Sequence, residues 1–172
     1  MTFIGFDNGV TSEGIGVISS DPSCPPILYK LPVKKELSYT KEAKNISRIN
    51  FEDLCSIIEE VYNNTKDKSL LAGLERPMVN GARFNASLSA VRALEATLIV
   101  LEKYKIPYQY IDSKEWQKEL LPKGLKGTDQ LKQASLDIGK RLFPNLKLKK
   151  DADGLLIAEY LKRKNSLAFS NI

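Results

Sequence analysis

Thr2-Phe3-Ile4-Gly5-Phe6-Asp7-Asn8-Gly9, followed after a short polar stretch by Gly14-Ile15-Gly16-Val17-Ile18-Ser19-Ser20, opens the chain. The first run is apolar up to Phe6 and then turns abruptly acidic and turn-forming. Asn8-Gly9 suits a reversal, because Gly tolerates positive φ and Asn forms local turns. The second run is apolar again, so the pair reads as a β-hairpin with Asp7 at the end of its first strand. A carboxylate at the end of a buried strand is costly unless it is paired or binds a cation. The same signature recurs twice. Leu70-Leu71-Ala72-Gly73-Leu74 ends in Glu75, and Asp151 and Asp153 precede Gly154-Leu155-Leu156-Ile157-Ala158. Three such places point to a shared cation, and oxygen-only ligands suit magnesium or manganese.

Working outward, 27–33 reads as a third strand, with Pro32 placing it at an edge. Ile46, Ile49, Leu54, Ile57, Ile58 and Val61 form a helical stripe over about 46–63. The segment 69–75 is apolar throughout, as a strand buried on both faces would be. A loop over 78–83 leads to a long helix over 85–103, then to a strand over 106–111. Asp112 or Ser113 caps a helix over 114–121 that carries Trp116, and Thr128 caps another to about 142. A basic loop follows, then a last helix over 153–163. An antiparallel opening followed by βαβ units gives an α/β fold: a mixed five-stranded sheet with helices on both faces. The expectation is a single domain over 1–172, with 165–172 a tail beyond the last helix.

Composition narrows the chemistry. The 172 residues are 42% hydrophobic and include no histidine. That composition belongs to a folded globular chain. The lack of histidine excludes His-based triads, imidazole zinc sites and a His general base. Cys24 and Cys55 lack metal-type spacing and are expected to be free thiols of a cytoplasmic protein. No apolar stretch of membrane length and no signal peptide is read, so no membrane partner is expected. The formal net charge is +5. Lys114, Lys118, Lys123 and Lys126, then Lys140, Arg141, Lys147, Lys149 and Lys150, lead up to the last acids, and Lys162, Arg163 and Lys164 follow. Basic groups beside a carboxylate cluster suit a polyanionic substrate, although each cluster alone is equally a solvated surface.

Phe6-Asp7-Asn8-Gly9 with Gly14-Ile15-Gly16-Val17-Ile18 resembles the first hairpin of RuvC-like Holliday-junction resolvases. Leu74-Glu75-Arg76-Pro77 resembles that family's strand glutamate, Asn85-Ala86 and Ser89 the helix after it, and Lys150-Asp151-Ala152-Asp153-Gly154-Leu155-Leu156-Ile157-Ala158 its closing acidic motif. The resemblance runs from residue 2 to about 163 and is nearest to the phage-type branch, which would place the protein in a host cytoplasm. It implies an RNase H-like fold and a homodimer that cuts four-way DNA junctions. It also implies two magnesium or manganese ions held by Asp7, Glu75, Asp151 and Asp153. Met78, Arg83, Phe84, Lys118, Lys123, Lys149 and Lys150 become candidate DNA contacts.

Two features depart from the family pattern. Bacterial members space the final acids by three, whereas Asp151 and Asp153 differ by two. On one continuous helix they would point about 200° apart, so they converge only if Asp151 precedes the helix. Read alone, Asp151 is equally a helix cap and Asp7 a turn former. Met78 stands near the place of a family phenylalanine, as an unstacking wedge or as a core or lid residue. Glu95 falls beside an apolar stripe, where a lysine salt bridge is the commoner role. Tyr108, Tyr110 and Trp116 are expected in the core or at its margin. Three other classes compete: an actin-like ATPase hairpin, which needs two domains, a non-catalytic DNA-binding module, and another RNase H-fold nuclease acting on RNA–DNA hybrids or chain ends.

Overall fold

In the computed structural model, residues 1–9, 14–39, 41 and 44–169 are described. The strands are β1 (Thr2–Phe6), β2 (Ile15–Ser19), β3 (Ile27–Tyr29), β4 (Val33–Leu37), β5 (Asn45–Ile49), β6 (Leu70–Glu75) and β7 (Tyr108–Ile111). The helices are α1 (Phe51–Asn64), α2 (Phe84–Lys103), α3 (Ser113–Leu120), α4 (Gly127–Leu142) and α5 (Asp153–Phe169), with one 3-10 turn at Gly81–Arg83.

The main sheet has the order β3-β2-β1-β6-β7. β1 is central, antiparallel to β2 and parallel to β6, and β7 continues the parallel half. Alternation along β1 divides the core. Phe3 faces Leu155, Leu156 and Trp116 on the side of α3, α4 and α5, while Ile4 and Phe6 face Leu54, Ile58 and Leu101 on the side of α1 and α2. The mixed sheet with helices on both faces is therefore the observed architecture.

α5 lies directly on β1 and β2, and glycines allow it. A Cβ on Gly5 would stand 2.1 Å from the Gly154 carbonyl oxygen, and one on Gly16 would stand 2.3 Å from the Leu155 nitrogen. The first turn of α5 is thereby held over the strand that ends at Asp7.

Several boundaries differ from the sequence expectation. The strand expected over 27–33 stops at Tyr29, and Val33 begins a separate hairpin in which Val33 pairs with Ile49 and Leu37 with Asn45. Ile46 and Ile49 belong to that hairpin, so α1 starts only at Phe51. α4 starts at Gly127, one residue before Thr128, and the Gln130 side chain accepts from the Lys126 nitrogen at 2.7 Å. α5 continues through Phe169, so 165–169 are helix and not tail. Residues 170–172 lie outside the described residues. The expectation that no segment reaches membrane length is also corrected. Gly81–Lys103 is long and apolar enough, by length and composition, to cross a membrane. In the fold its Ala93, Val100 and Leu101 are buried against the sheet.

Candidate active site

Parallel register between β1 and β6 sets Phe6 beside Leu74, so both chains reach the same end of the sheet one residue later, at Asp7 and Glu75. The N-terminus of α5 meets them there. One carboxylate oxygen from each of Asp7, Asp151 and Asp153 lies within 4.8 Å of the others. Asp151 is 2% exposed, and Asp7 and Asp153 are half-buried. The two-residue spacing of Asp151 and Asp153 is reconciled by the helix start. Leu156 donates to the Ala152 carbonyl at 2.9 Å, so the helix begins after Ala152 and Asp151 lies outside it, before its first turn.

Asp7, Asp153 and Glu75 are each oriented by a neighbour. Asp7 Oδ1 accepts from the Gly9 nitrogen at 2.9 Å, closing a local turn. Asp153 Oδ1 accepts from the Ser135 hydroxyl, whose oxygen in turn accepts from the Ala152 nitrogen at 3.1 Å. Ser135 is buried on α4, so α4 fixes both the start of α5 and the carboxylate at its head. Glu75 stands outside the three-carboxylate group, and its Oε1 accepts from the Trp116 indole at 2.9 Å. Buried Asn8 ties the strand ends together: its Nδ2 donates to the Glu75 carbonyl at 3.5 Å, and its Oδ1 accepts from Thr97 of α2 at 3.3 Å.

Charge is crowded here. Burial first, and then the Asp7 carboxylate, push Glu75 up to about 8 against the opposing Trp116 hydrogen bond. Burial likewise pushes Asp153 up to about 7, with Asp7 and Asp151 adding to it and the Ser135 hydrogen bond opposing. The α5 N-terminus favours negative charge there, yet it does not offset the desolvation and repulsion. A hard divalent cation would relieve both. The donor set, carboxylate oxygens only, fits magnesium or manganese better than a softer metal.

The candidate DNA contacts are all exposed. Met78 is 76% and Phe84 67% exposed on either side of the turn that follows Glu75, with Arg83 between them. Lys118 and Lys123 line a shallow groove of about 260 Å³ with Leu121 and Leu131. Lys149 and Lys150 immediately precede Asp151. Glu95 is exposed and makes no ion pair with a described residue. Trp116 is 1% exposed, as expected of a core residue, but it also reaches the site. Tyr110 is exposed, and the Arg76 guanidinium lies over its ring at 5.4 Å. Asn8, Thr97 and Ser135 were not singled out from the sequence. Only Asn8, beside an acid in a turn motif, carried any signal there.

Over 92% of its length the chain is similar in fold to Thermus thermophilus RuvC in complex with a Holliday-junction substrate, at a TM-score of 0.55 and 15% identity over 90% of that chain. The fold is RuvC-like. A second Thermus thermophilus RuvC structure agrees, at a TM-score of 0.54 and 15% identity, covering 92% of this chain and 91% of that one. No family model matches the chain, and no curated protein matches it in sequence.

Proposed function

We propose that the protein is a divalent-metal-dependent endonuclease that cuts four-way junctions and related branched DNA, acting as a homodimer of the phage-type branch of RuvC-like resolvases. The observation that carries this is the meeting of Asp7, Asp151 and Asp153 at one end of a RuvC-like sheet. Three carboxylates crowded this closely, with Asp151 buried and the other two half-buried, repel one another, and a bound cation would relieve that repulsion.

Asp7, Asp151 and Asp153 would hold magnesium or manganese, two ions per site, with Glu75 as the fourth carboxylate. Such ions supply Lewis-acid activation of water and stabilise the leaving oxygen of a phosphodiester. The chain's own residues do the rest. Ser135 and Trp116 each donate a hydrogen bond, to Asp153 and Glu75, and so would orient these carboxylates toward a cation. Lys149 or Lys150, immediately before Asp151, would neutralise the scissile phosphate, and Lys118 and Lys123 would add further contacts to the DNA backbone. Met78 and Phe84 offer apolar side chains that can enter an unstacked step at a branch point. Symmetric nicking of a junction needs two sites about a twofold axis, which is the reason for the dimer.

The test is cleavage of a synthetic four-way junction, a linear duplex and an RNA–DNA hybrid, with and without magnesium. Magnesium-dependent paired nicks in the junction are expected. Equal or faster cutting of the hybrid would move the assignment to another RNase H-fold nuclease. Tight junction binding with no cutting under any divalent ion would make the chain a DNA-binding module.

A further inference from the structure

We propose that the β4–β5 hairpin is a second DNA-binding surface, which takes the phosphate backbone of a duplex arm on the opposite side of the carboxylates from Lys149 and Lys150. This rests on the branched-DNA reading above. Between Lys30 and Asn50 the chain has six cationic residues and two acidic ones, against a net charge of +5 for the whole protein. The hairpin is not part of the main sheet, and β4 is exposed along almost its whole length. Glu36 is shared by Lys34 and Arg48, both at 2.6 Å. Exposed Lys30, Lys35 and Lys41 make no ion pair with a described residue. A basic ribbon with so little internal compensation is the electrostatic footprint expected of a backbone contact.

Its position follows from α2. That helix starts at the carboxylate end of the sheet, after β6, and returns to the start of β7 at the other end. Thr97 is level with Asn8, at the tip of β1. Arg92 lies five residues earlier, about 7.5 Å further toward and past that tip. The Arg92 guanidinium fixes the hairpin there. It donates to the Tyr39 hydroxyl at 3.2 Å and to the Ser89 hydroxyl at 3.1 Å, and it lies over the Tyr39 ring at 5.8 Å. Its Nε is buried and has no hydrogen-bond partner among the described residues. Arg92 and Glu95 both line a cleft of about 350 Å³ between the hairpin and α2. Tyr39, 70% exposed, and Leu37 lie at the outer end of the hairpin.

Ile49 anchors the hairpin in the core shared by α1 and α2, whereas Lys118, Lys123, Lys149 and Lys150 lie on or beside the elements of the α5 face. The carboxylates therefore sit between two basic walls. A linear duplex that follows one of them need not reach the other. Arms that diverge from a branch point can occupy both.

The experiment measures binding without divalent ions, so nothing is cut. Wild type and K30Q/K35Q/K41Q are titrated with a four-way junction and with a linear duplex of the same arm sequence, at several salt concentrations. These three lysines hold no described ion pair, so the variant should fold, and a thermal melt checks that. The expected result is about tenfold weaker junction binding, a salt slope smaller by about 2 to 3, and a change below about threefold on the duplex. Unchanged junction affinity and slope would overturn the proposal, as would equal losses on both DNAs. Cutting by wild type is assayed separately. A wild type that cuts nothing while the variant still loses junction affinity sinks the nuclease reading and leaves the hairpin assignment standing.

Discussion

The Trp116 indole donates to Glu75 Oε1 at 2.9 Å across 41 residues of sequence, joining the middle of α3 to the end of β6. Burial and the nearby carboxylates raise Glu75 to about 8, and this hydrogen bond opposes that rise. Trp116→Phe keeps most of the buried ring but removes the donor. Glu75 then rises further and is more fully protonated at neutral pH. The expected outcome is a several-fold higher magnesium requirement for DNA cutting at pH 7, narrowing as the pH is raised above about 8. Magnesium titrations of cleavage at the two pH values check this, and a pH-independent loss would show that Trp116 acts only through packing.

Stability of the metal-free protein is expected to fall as pH rises. Glu75 and Asp153 are carboxyls raised in the folded state, to about 8 and about 7. Between their unfolded and folded values, the native state binds more protons than the unfolded chain. Unfolding free energy therefore decreases with pH across that window, by about 1.4 kcal/mol per pH unit for each group at most. Below the unfolded values both groups are protonated in either state, and the penalty vanishes. Thermal melts should give a higher Tm near pH 5 than near pH 8, and magnesium should restore the loss at the higher pH by binding the ionised native site. A Tm that rises over this range without metal would contradict the arrangement.

Ser135 tests the other half of the site. Its hydroxyl donates to Asp153 and accepts from the Ala152 nitrogen at 3.1 Å, which satisfies a donor at the head of α5. Ser135→Ala leaves that buried nitrogen without a partner and frees the Asp153 carboxylate. The expected cost is about 1–2 kcal/mol, read by denaturant unfolding. Asp153→Asn has the opposite effect on the metal-free protein. It removes one of three crowded charges, raises Tm, and reduces magnesium-dependent cutting by at least about a hundredfold. A Tm for Asp153→Asn that fell and did not recover with pH would mean the acids are not under repulsion.

What the sequence made legible follows from where the signal was local. The end of β1 and the head of α5 each join an apolar run to an acid, so Asp7 and Asp153 stood out at once. Their convergence needed the start of α5, which turns on the Ala152 carbonyl and not on any residue type. The β4–β5 hairpin was hidden for a physical reason. β4 is exposed along almost its whole length, so no apolar alternation marks it, and Ile46 and Ile49 of β5 fall three apart, which imitates a helical stripe. The supports of the site were hidden as well. Trp116 to Glu75, Ser135 to Asp153 and Thr97 to Asn8 are contacts between elements far apart in the chain, and composition says nothing of them.

Gly5 offers the sharpest test of how the fold builds the site. It lies on β1 two residues before Asp7, and a Cβ there would stand 2.1 Å from the Gly154 carbonyl oxygen and 2.5 Å from the Ala158 nitrogen. Both are backbone atoms of α5, so no side chain can rotate out of the way. Gly5→Ala must push the helix off the sheet, open the core between Phe3 and Leu155, and carry Asp153 away from Asp7. The expected loss is about 3 kcal/mol or more, in the range of overpacking within a close-packed core, together with a loss of magnesium-dependent stabilisation. Gly81→Ala is the control: nothing lies within 4 Å of a Cβ at that position, so neither quantity should change. If Gly5→Ala melts like the wild type and still gains Tm from magnesium, α5 is not seated on β1 as described, and the meeting of Asp7 with Asp153 loses its structural basis.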